Sequence, residues 1–466
     1  MRLSTLERTG EAMEQAINYL KTNRERYLEE LKALLAIPSI SSDPERKGAM
    51  MECAEHCTDL LKAAGIENAA VKETSGHPVV TGSLMDAPGK PTILIYGHLD
   101  VQPVDPLDLW EKDPFEAHVK NDRLVARGTA DDKGQVFMHI KAVEAVLKTV
   151  GRLPVNVKFI LESEEEIGSP NLASFLEANK DMLNADFVVV SDSGMLAEGK
   201  PAITYGLRGM TYLEIEVTGP NRDLHSGTYG GAVANPAEIL VRLLASVKDN
   251  QGRILIPGFY DRVIDLTGEE RELFAKVPHD DAKYMSDLGV EELWGEAGYS
   301  TREQTGTRPT FEVNGIYGGF TGHGAKTVLP ARATAKVSSR LVPDQDPDEI
   351  VELTEKFFRD NAPKSVSVKV TRFHGGRPTV TPIDRPYIKA AERALSESFN
   401  HEVYFLREGG SIPIVADFKT ILGLDSLLLG YALPDARTHS PNENIHLPTF
   451  YTGMESLVRC LYYFAE

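Results

Sequence analysis

Cysteine is nearly absent from the chain: Cys53, Cys57 and Cys460 are three in 466 residues. So small and odd a number excludes a disulfide framework and reads as a reduced, cytoplasmic protein. Positive charge is in deficit. Lys and Arg number 50 against 69 Asp and Glu, a formal net charge of −19. That balance excludes the basic surface required by nucleic acid or an anionic membrane. Long hydrophobic runs are missing, since the apolar stretches are strand-sized and far short of the ~20 residues that span a bilayer. The opening Met1-Arg2-Leu3-Ser4-Thr5-Leu6-Glu7 carries no apolar signal core. His-Glu-x-x-His does not occur. Gly319–Thr327 resembles a phosphate loop but has an extra alanine before the lysine. Gly409-Gly410-Ser411-Ile412-Pro413 approaches a nucleophile elbow, but Pro413 stands where glycine is needed.

What is present is a globular composition, 42% hydrophobic and 26% charged, in a chain long enough for two or three domains. Several apolar runs stop abruptly at a metal-type side chain. Thr92–Gly97 runs into His98-Leu99-Asp100, and Val155–Leu161 into Glu162-Ser163-Glu164-Glu165-Glu166. Phe187–Ser191 runs into Asp192, and Ser426–Tyr431 is followed by His439. Asp131 lies at the start of a predicted helix. Ligands of open α/β sheets bind outside the carboxyl ends of the strands. Imidazole plus carboxylate is the ligand set of a hydrolytic zinc or manganese site.

Apolar spacing near 3.6 predicts a helix over 12–36, ended by Pro38. Strands and helices then alternate to about residue 204, the pattern of a mostly parallel sheet. The helix after Asp131 is expected to bury one face, lined by Val136, Phe137, Ile140, Val143, Val146, Leu147 and Val150. From Thr211 to Thr371 the order becomes β-α-β-β-α-β, a ferredoxin-like unit, with a charged insertion at 250–309. A helix-strand pattern returns near residue 384 and carries His439. The expected fold class is therefore α/β: a mostly parallel-sheet catalytic domain, 1–204 and 384–466, discontinuous around an inserted ferredoxin-like (α+β) domain, 205–383.

His98 and Asp100 are spaced i, i+2, which on a strand puts both on one side. Asp100 is thus placed to accept from the second ring nitrogen of His98 and orient it. Of Asp131 and Asp132, one is expected to cap the following helix, while two carboxylate oxygens also suit a bridge between two metals. The glutamate run after Leu161 lies at the sheet's carboxyl edge. Crowded carboxylates repel without a compensating cation, so one can bind metal while its neighbour serves as general base. Cys53, His56 and Cys57 follow a helical pattern in which the two cysteines share a face and pack.

Together these segments resemble the dinuclear zinc exopeptidases that include the cytosolic non-specific dipeptidases and carnosinases. The matching runs are Tyr96–Pro103, Gly128–Gly134, Glu165–Ser169, Ser191-Asp192, Asp223–Gly231, Gly324–Pro330, Arg340–Pro343, Arg407–Pro413 and His439–Glu443. The resemblance implies two divalent ions, Zn²⁺ first with Mn²⁺ or Co²⁺ also accepted. His98, Asp131 and Glu166 would serve one side, Asp192 and His439 the other, with Asp131 bridging. It implies Glu165 as general base, Asp100 as the partner of His98, and His225 as oxyanion donor. Thr327, Arg340, His374 and Ser411 match substrate-contacting positions. It implies a dipeptide substrate and a homodimer of lid/dimerisation domains in which His225 completes the partner's site. Asp132 and the long insertion favour the dipeptidase branch, since the shorter deacylases usually carry methionine at the Asp132 position. Ile167 departs from the small residue common there. The alternatives are a metal-dependent N-acyl-amino-acid amidohydrolase and a catalytically inactive binding protein.

Overall fold

The computed structural model describes residues 5–410 and 412–466, with side chains from residue 9 on. The chain divides into two units, Met1–Tyr205 with Thr381–Phe405 and Asp417–Glu466, and Gly206–Val380 with Leu406–Ala416. The last segment was expected in the catalytic domain. It belongs to the second unit because Arg208 N donates to Glu408 O at 3.2 Å and Arg407 pairs with Glu270 of the charged insertion.

The sheet of the first unit runs Ala70–Lys72, Val79–Leu84, Asn156–Glu162, Thr92–His98, Phe187–Val190, Ser426–Leu428, Ala202–Leu207. The strands from Asn156–Glu162 through Ser426–Leu428 are parallel, and those outside them antiparallel. Covered on both faces, the parallel strands are near-continuous apolar runs; Ile93, Leu94, Ile95 and Tyr96 are all buried. Parallel direction brings their carboxyl ends together: His98 is in register with Glu162, and Tyr96 with Val190.

The helix Lys133–Val150 departs from its one-faced pattern. Every residue from Lys133 to Val146 is buried, because the helices Thr5–Thr22, Arg24–Leu35, Lys47–Ala64 and Leu447–Tyr463 all pack on it. Its polar side chains have partners inside: Lys133 Nζ donates to Ile37 O at 2.7 Å and Lys141 Nζ to Glu144 at 2.8 Å. The expected single helix over 12–36 is two, broken at Asn23, whose side-chain amide donates to Tyr19 O at 2.8 Å. Such a side chain competes with the backbone for helical hydrogen bonds. Cys53 and Cys57 lie on Lys47–Ala64, buried and unpaired. Among the described residues, no helix is long and apolar enough to cross a membrane.

The second unit is built on an antiparallel sheet ordered Thr310–Gly318, Arg332–Leu341, Gly209–Thr218, Ser367–Gly376. With the helices Pro236–Ala245 and Pro347–Asn361, this is the ferredoxin-like arrangement. Alternation along Gly209–Thr218 turns Leu213, Ile215 and Val217 into a core with Leu240, Leu243, Ile350 and Phe358. The insertion holds three short helices, two of them started by capping boxes, Thr267 with Glu270 and Ser300 with Glu303.

Candidate metal centre

His98 ends its strand fully buried. Its Nδ1 lies 3.0 Å from Asp100 O. A carbonyl only accepts, so Nδ1 carries a hydrogen, and Nε2 is the nitrogen left to give a lone pair to a metal once it is deprotonated. That Nε2 is 3.0 Å from Asp131 Oδ1 and 3.9 Å from Asp192 Oδ2. His439 Nε2 is 2.8 Å from Asp131 Oδ2 and 3.2 Å from Glu166 Oε2. Two groups result, His98–Asp131–Asp192 and Asp131–Glu166–His439, each with its candidate ligand atoms within 4.8 Å of one another. The sequence reading had put Glu166 with His98 and Asp192 with His439; the structure exchanges them. The path beyond the strand ends is the reason. Asn156–Glu162 and Phe187–Val190 both flank the His98 strand, but Asp192 lies two residues past the end of its strand, whereas Glu166 lies four past, in a turn. Asp131 belongs to both groups, one oxygen to each.

Asp100, also fully buried, does more than face His98. Its Oδ1 and Oδ2 accept from Glu165 N and Glu166 N at 3.2 and 3.0 Å, which fixes the turn bearing both glutamates. Gln102 Nε2 donates to Glu166 Oε2 at 2.7 Å. Asp132 occupies the helix N-cap position but makes no capping bond, against expectation. Asp131 faces the histidines, and Asp132 Oδ2 accepts from His98 N at 3.2 Å. The sequence reading gave Glu443 no role. Buried, it accepts from Ala130 N and Asp131 N at 2.9 and 3.1 Å through one oxygen. Through the other it accepts from Arg127 Nη1 and Gly128 N at 2.7 and 3.1 Å. Its place four residues after His439, in a matching run, was the only signal available. His439 itself has φ 58, a left-handed conformation uncommon for a side chain of this kind and concentrated at functional sites.

The electrostatics record unmatched negative charge. Burial, then the charge of Asp131, pushes the Asp192 carboxyl up to about 7. Burial, with help from Asp192, Glu166 and Asp131, pushes Glu165 up to about 9, against the pull of His98. Hydrogen bonds to Asp131 and Glu166 raise His439 to about 10. Burial opposes charge on His98, yet its bonds to Asp100 and Asp131 hold it well above its ordinary value. Burial likewise opposes ionisation of Asp131, but His439 and His98 keep it below the usual carboxylate range. Imidazole nitrogens and carboxylate oxygens, all lone-pair donors aimed at common points, fit two divalent cations of the zinc, manganese or cobalt kind.

The remaining predicted residues lie on the second unit. His225 is exposed, and its Nδ1 accepts from Gly227 N at 3.1 Å, so Nε2 carries the hydrogen. His225 pairs with Val328, and Ser226 N donates to Thr327 O at 3.1 Å, which brings Thr327 beside it. Arg340 and His374 flank the Gly209–Thr218 strand, opposite Met210 and Tyr212 respectively. His374 stacks on Tyr212 with ring centroids 5.3 Å apart. Arg340 is half-buried, and its charge, after burial, helps lower the nearby Arg208 to about 10. Ser411 lies outside the described residues.

The model of peptidase family M20/M25/M40 matches residues 94–463, a span holding every residue of both candidate groups. Cys-Gly metallodipeptidase DUG1 of Candida albicans is 35% identical, over 95% of this chain and 95% of its own. Human Beta-Ala-His dipeptidase is 34% identical, over 95% and 90%. Among solved structures, the M20 family metallo-carboxypeptidase Sso-CP2 of Sulfolobus solfataricus aligns with a TM-score of 0.83 at 34% identity, covering 94% of this chain and 99% of that one. Human carnosine dipeptidase 1 gives 0.79 at 32%, covering 97% and 98%. The fold, the two histidine–carboxylate groups and these likenesses agree: the chain belongs to peptidase family M20/M25/M40.

Proposed function

We propose that this chain is a dinuclear metallo-dipeptidase that hydrolyses the peptide bond of dipeptides. One observation carries the reading: the two oxygens of Asp131 each face a histidine that a further carboxylate flanks, 3.0 Å from His98 and 2.8 Å from His439. The substrate class is supported by the Cys-Gly and Beta-Ala-His dipeptidases to which the chain is similar. His98 and Asp192 would hold one cation, Glu166 and His439 the other, and Asp131 both. Zinc fits first, and the same donors accept manganese or cobalt. When bound, such ions supply a water acidic enough to react near neutral pH and polarise the peptide carbonyl.

Glu165 stands beside both groups without belonging to either, and Asp100 fixes its turn. It takes the proton of the attacking water and hands it to the leaving amine, which balances the hydrolysis. His225 donates Nε2–H to the developing oxyanion. Arg340 grips the substrate's terminal carboxylate as a bidentate fork, and Thr327, His374 and Ser411 match further substrate-contacting positions of the family. The enzyme works as a homodimer of second units. Exposed Val313, Ile316, Tyr317 and Phe373, on the two edge strands of that sheet, support the pairing, and His225 serves the partner's centre. Three buried, unpaired cysteines support a reducing, cytoplasmic setting.

The test is a panel of dipeptides, longer peptides, C-terminal amides and N-acyl amino acids, run after reconstitution with each of the three metals. Dipeptides should be cleaved, and amides and long chains left largely intact. Turnover of N-acyl amino acids alone would make the enzyme an amidohydrolase. Cleavage inside an unstructured protein would end the exopeptidase reading.

A further inference from the structure

Gln135 is the third residue of the helix Lys133–Val150 and is 1% exposed. Its amide nitrogen donates to Ala130 O at 2.7 Å and to Ser193 O at 3.4 Å. Its amide oxygen accepts from Tyr431 N at 2.8 Å. Ala130 immediately precedes Asp131, and Ser193 immediately follows Asp192. Tyr431 heads the segment that leads from the Ser426–Leu428 strand to His439. One side chain therefore holds the backbone beside two members of the His98 group and the start of the segment bearing His439, without touching a candidate ligand atom.

Asp131 has most need of such support. His98 ends a strand and Asp192 lies two residues past one, so sheet pairing fixes their approach. Asp131 sits in a turn ahead of a helix, where no ladder fixes it. Glu443 takes the amide hydrogens of that turn, at Gly128, Ala130 and Asp131. Gln135 takes the carbonyl of Ala130 and ties it to Ser193. The Ala130 peptide group is thus gripped at N–H and C=O by two different buried side chains, and among the described residues it is Gln135 that ties it by hydrogen bonds to the Asp192 segment. A hydrophobic residue of the same length would leave two carbonyls and one N–H without this partner, each seeking another by local movement.

We infer that Gln135 is a positioning residue that sets the spacing of Asp131 and Asp192, and through it the affinity of the cation site formed with His98. The inference rests on the dinuclear reading of the centre. Groups that orient metal ligands typically change metal affinity by about 10–100-fold when lost.

The experiment is a zinc titration of metal-stripped protein by equilibrium dialysis with elemental analysis, alongside a melting curve of each stripped protein. Wild type should bind two equivalents. Gln135→Met should bind one at least about 10-fold more weakly and the other with a clearly smaller loss. Excess zinc should restore its turnover, and the stripped variant should melt within a few degrees of stripped wild type, which a general loosening of the fold would not give. Site identity follows from two backgrounds. In His439→Ala protein, where the His98 group remains, Gln135→Met should weaken the remaining zinc. In Asp192→Ala protein it should change the remaining zinc little. If Gln135→Met does not fold, Gln135→Glu takes its place: it keeps the acceptor for Tyr431 N and sets an oxygen against both carbonyls, so the same loss is expected. Fewer than two equivalents in wild type would overturn the dinuclear reading and this inference with it. Two equivalents in wild type, with both affinities unchanged or equally weakened in the variant, would overturn the role of Gln135 alone.

Discussion

In the first unit, Lys133, Gln135, His139, Lys141 and Glu144 share one helix and are all buried. In the second, the inward face of the central strand is apolar from Leu213 to Val217, while His225, Thr327 and His374 stand at the surface. The contrast extends to what holds each residue. Around the candidate metal centre, buried side chains grip the backbone of the ligand-bearing turns: Asp100 at Glu165 and Glu166, Glu443 at Gly128, Ala130 and Asp131. On the second unit, strand pairing sets the places of Arg340 and His374, and their side chains lie on the sheet. The first unit spends buried polar groups on fixing atoms that must not move relative to one another. The second offers groups that, on the proposed function, would meet a substrate, and these need access more than immobility. Chemistry should therefore fail at the first, and substrate affinity and subunit pairing at the second.

The sharpest break is at the base. Glu165→Gln should keep the fold and both metals and lose about 10²–10⁴ in turnover, whereas Glu166→Gln should lose metal. Near-normal turnover in fully metallated Glu165→Gln protein would contradict the role. On the other side of the comparison, His225→Ala and Glu165→Gln should each be nearly inactive alone. A heterodimer isolated with differential tags should regain about half of wild-type activity, because the His225→Ala subunit keeps an intact metal core and receives His225 from its partner. A verified heterodimer without activity would place His225 within its own chain. Arg340→Ala should raise KM by about 10–100-fold, the worth of a charged hydrogen-bond pair, with a smaller change in kcat. An unchanged KM would move the carboxylate clamp elsewhere.

The mildest test removes the metals. In the stripped protein Glu165, Asp192 and His439 titrate above their ordinary values, at about 9, 7 and 10. A raised folded value contributes stability that is full below the unfolded pKa and is lost as pH climbs through the folded one. Asp131 runs the other way, but its window lies at strongly acid pH. The melting temperature of the stripped protein should thus fall by at least a few degrees as pH rises from near neutral through those three values. Zinc-loaded protein should change less. A stripped protein that gains stability over that range would contradict this charge balance.

Much of the first unit was legible because its signals are local. A parallel strand buried on both faces must be apolar throughout, so a run such as Ile93–Tyr96 stands out, and so does the polar residue that ends it. The insertion was legible for a similar reason: alternation along Thr211–Thr218 is a property of neighbours in sequence. What escaped depends on neighbours in space. The exchange of Glu166 and Asp192 between groups follows from where the turn after Glu162 carries Glu166, and residue spacing does not encode that path. The helix Lys133–Val150 looked one-faced because its polar residues were taken to face water, whereas Lys133, Gln135, His139, Lys141 and Glu144 have partners on other segments. Gln135 and Glu443 were overlooked on that account. Asn23 breaks a helix whose apolar period continues across it, and Leu406–Ala416 joins the second unit through bonds to Arg208 and Glu270.

Asp131 gives one oxygen to each histidine group, and a ligand held in common turns two equilibria into one. Whichever cation arrives first orients the carboxylate for the second, and the second must then stabilise the first by the same factor, since coupling free energies are reciprocal. On the dinuclear reading the two occupancies are coupled, so a cation lost from one group loosens its neighbour in the other. Scarcity of metal would then be felt at both positions, whichever of them empties first.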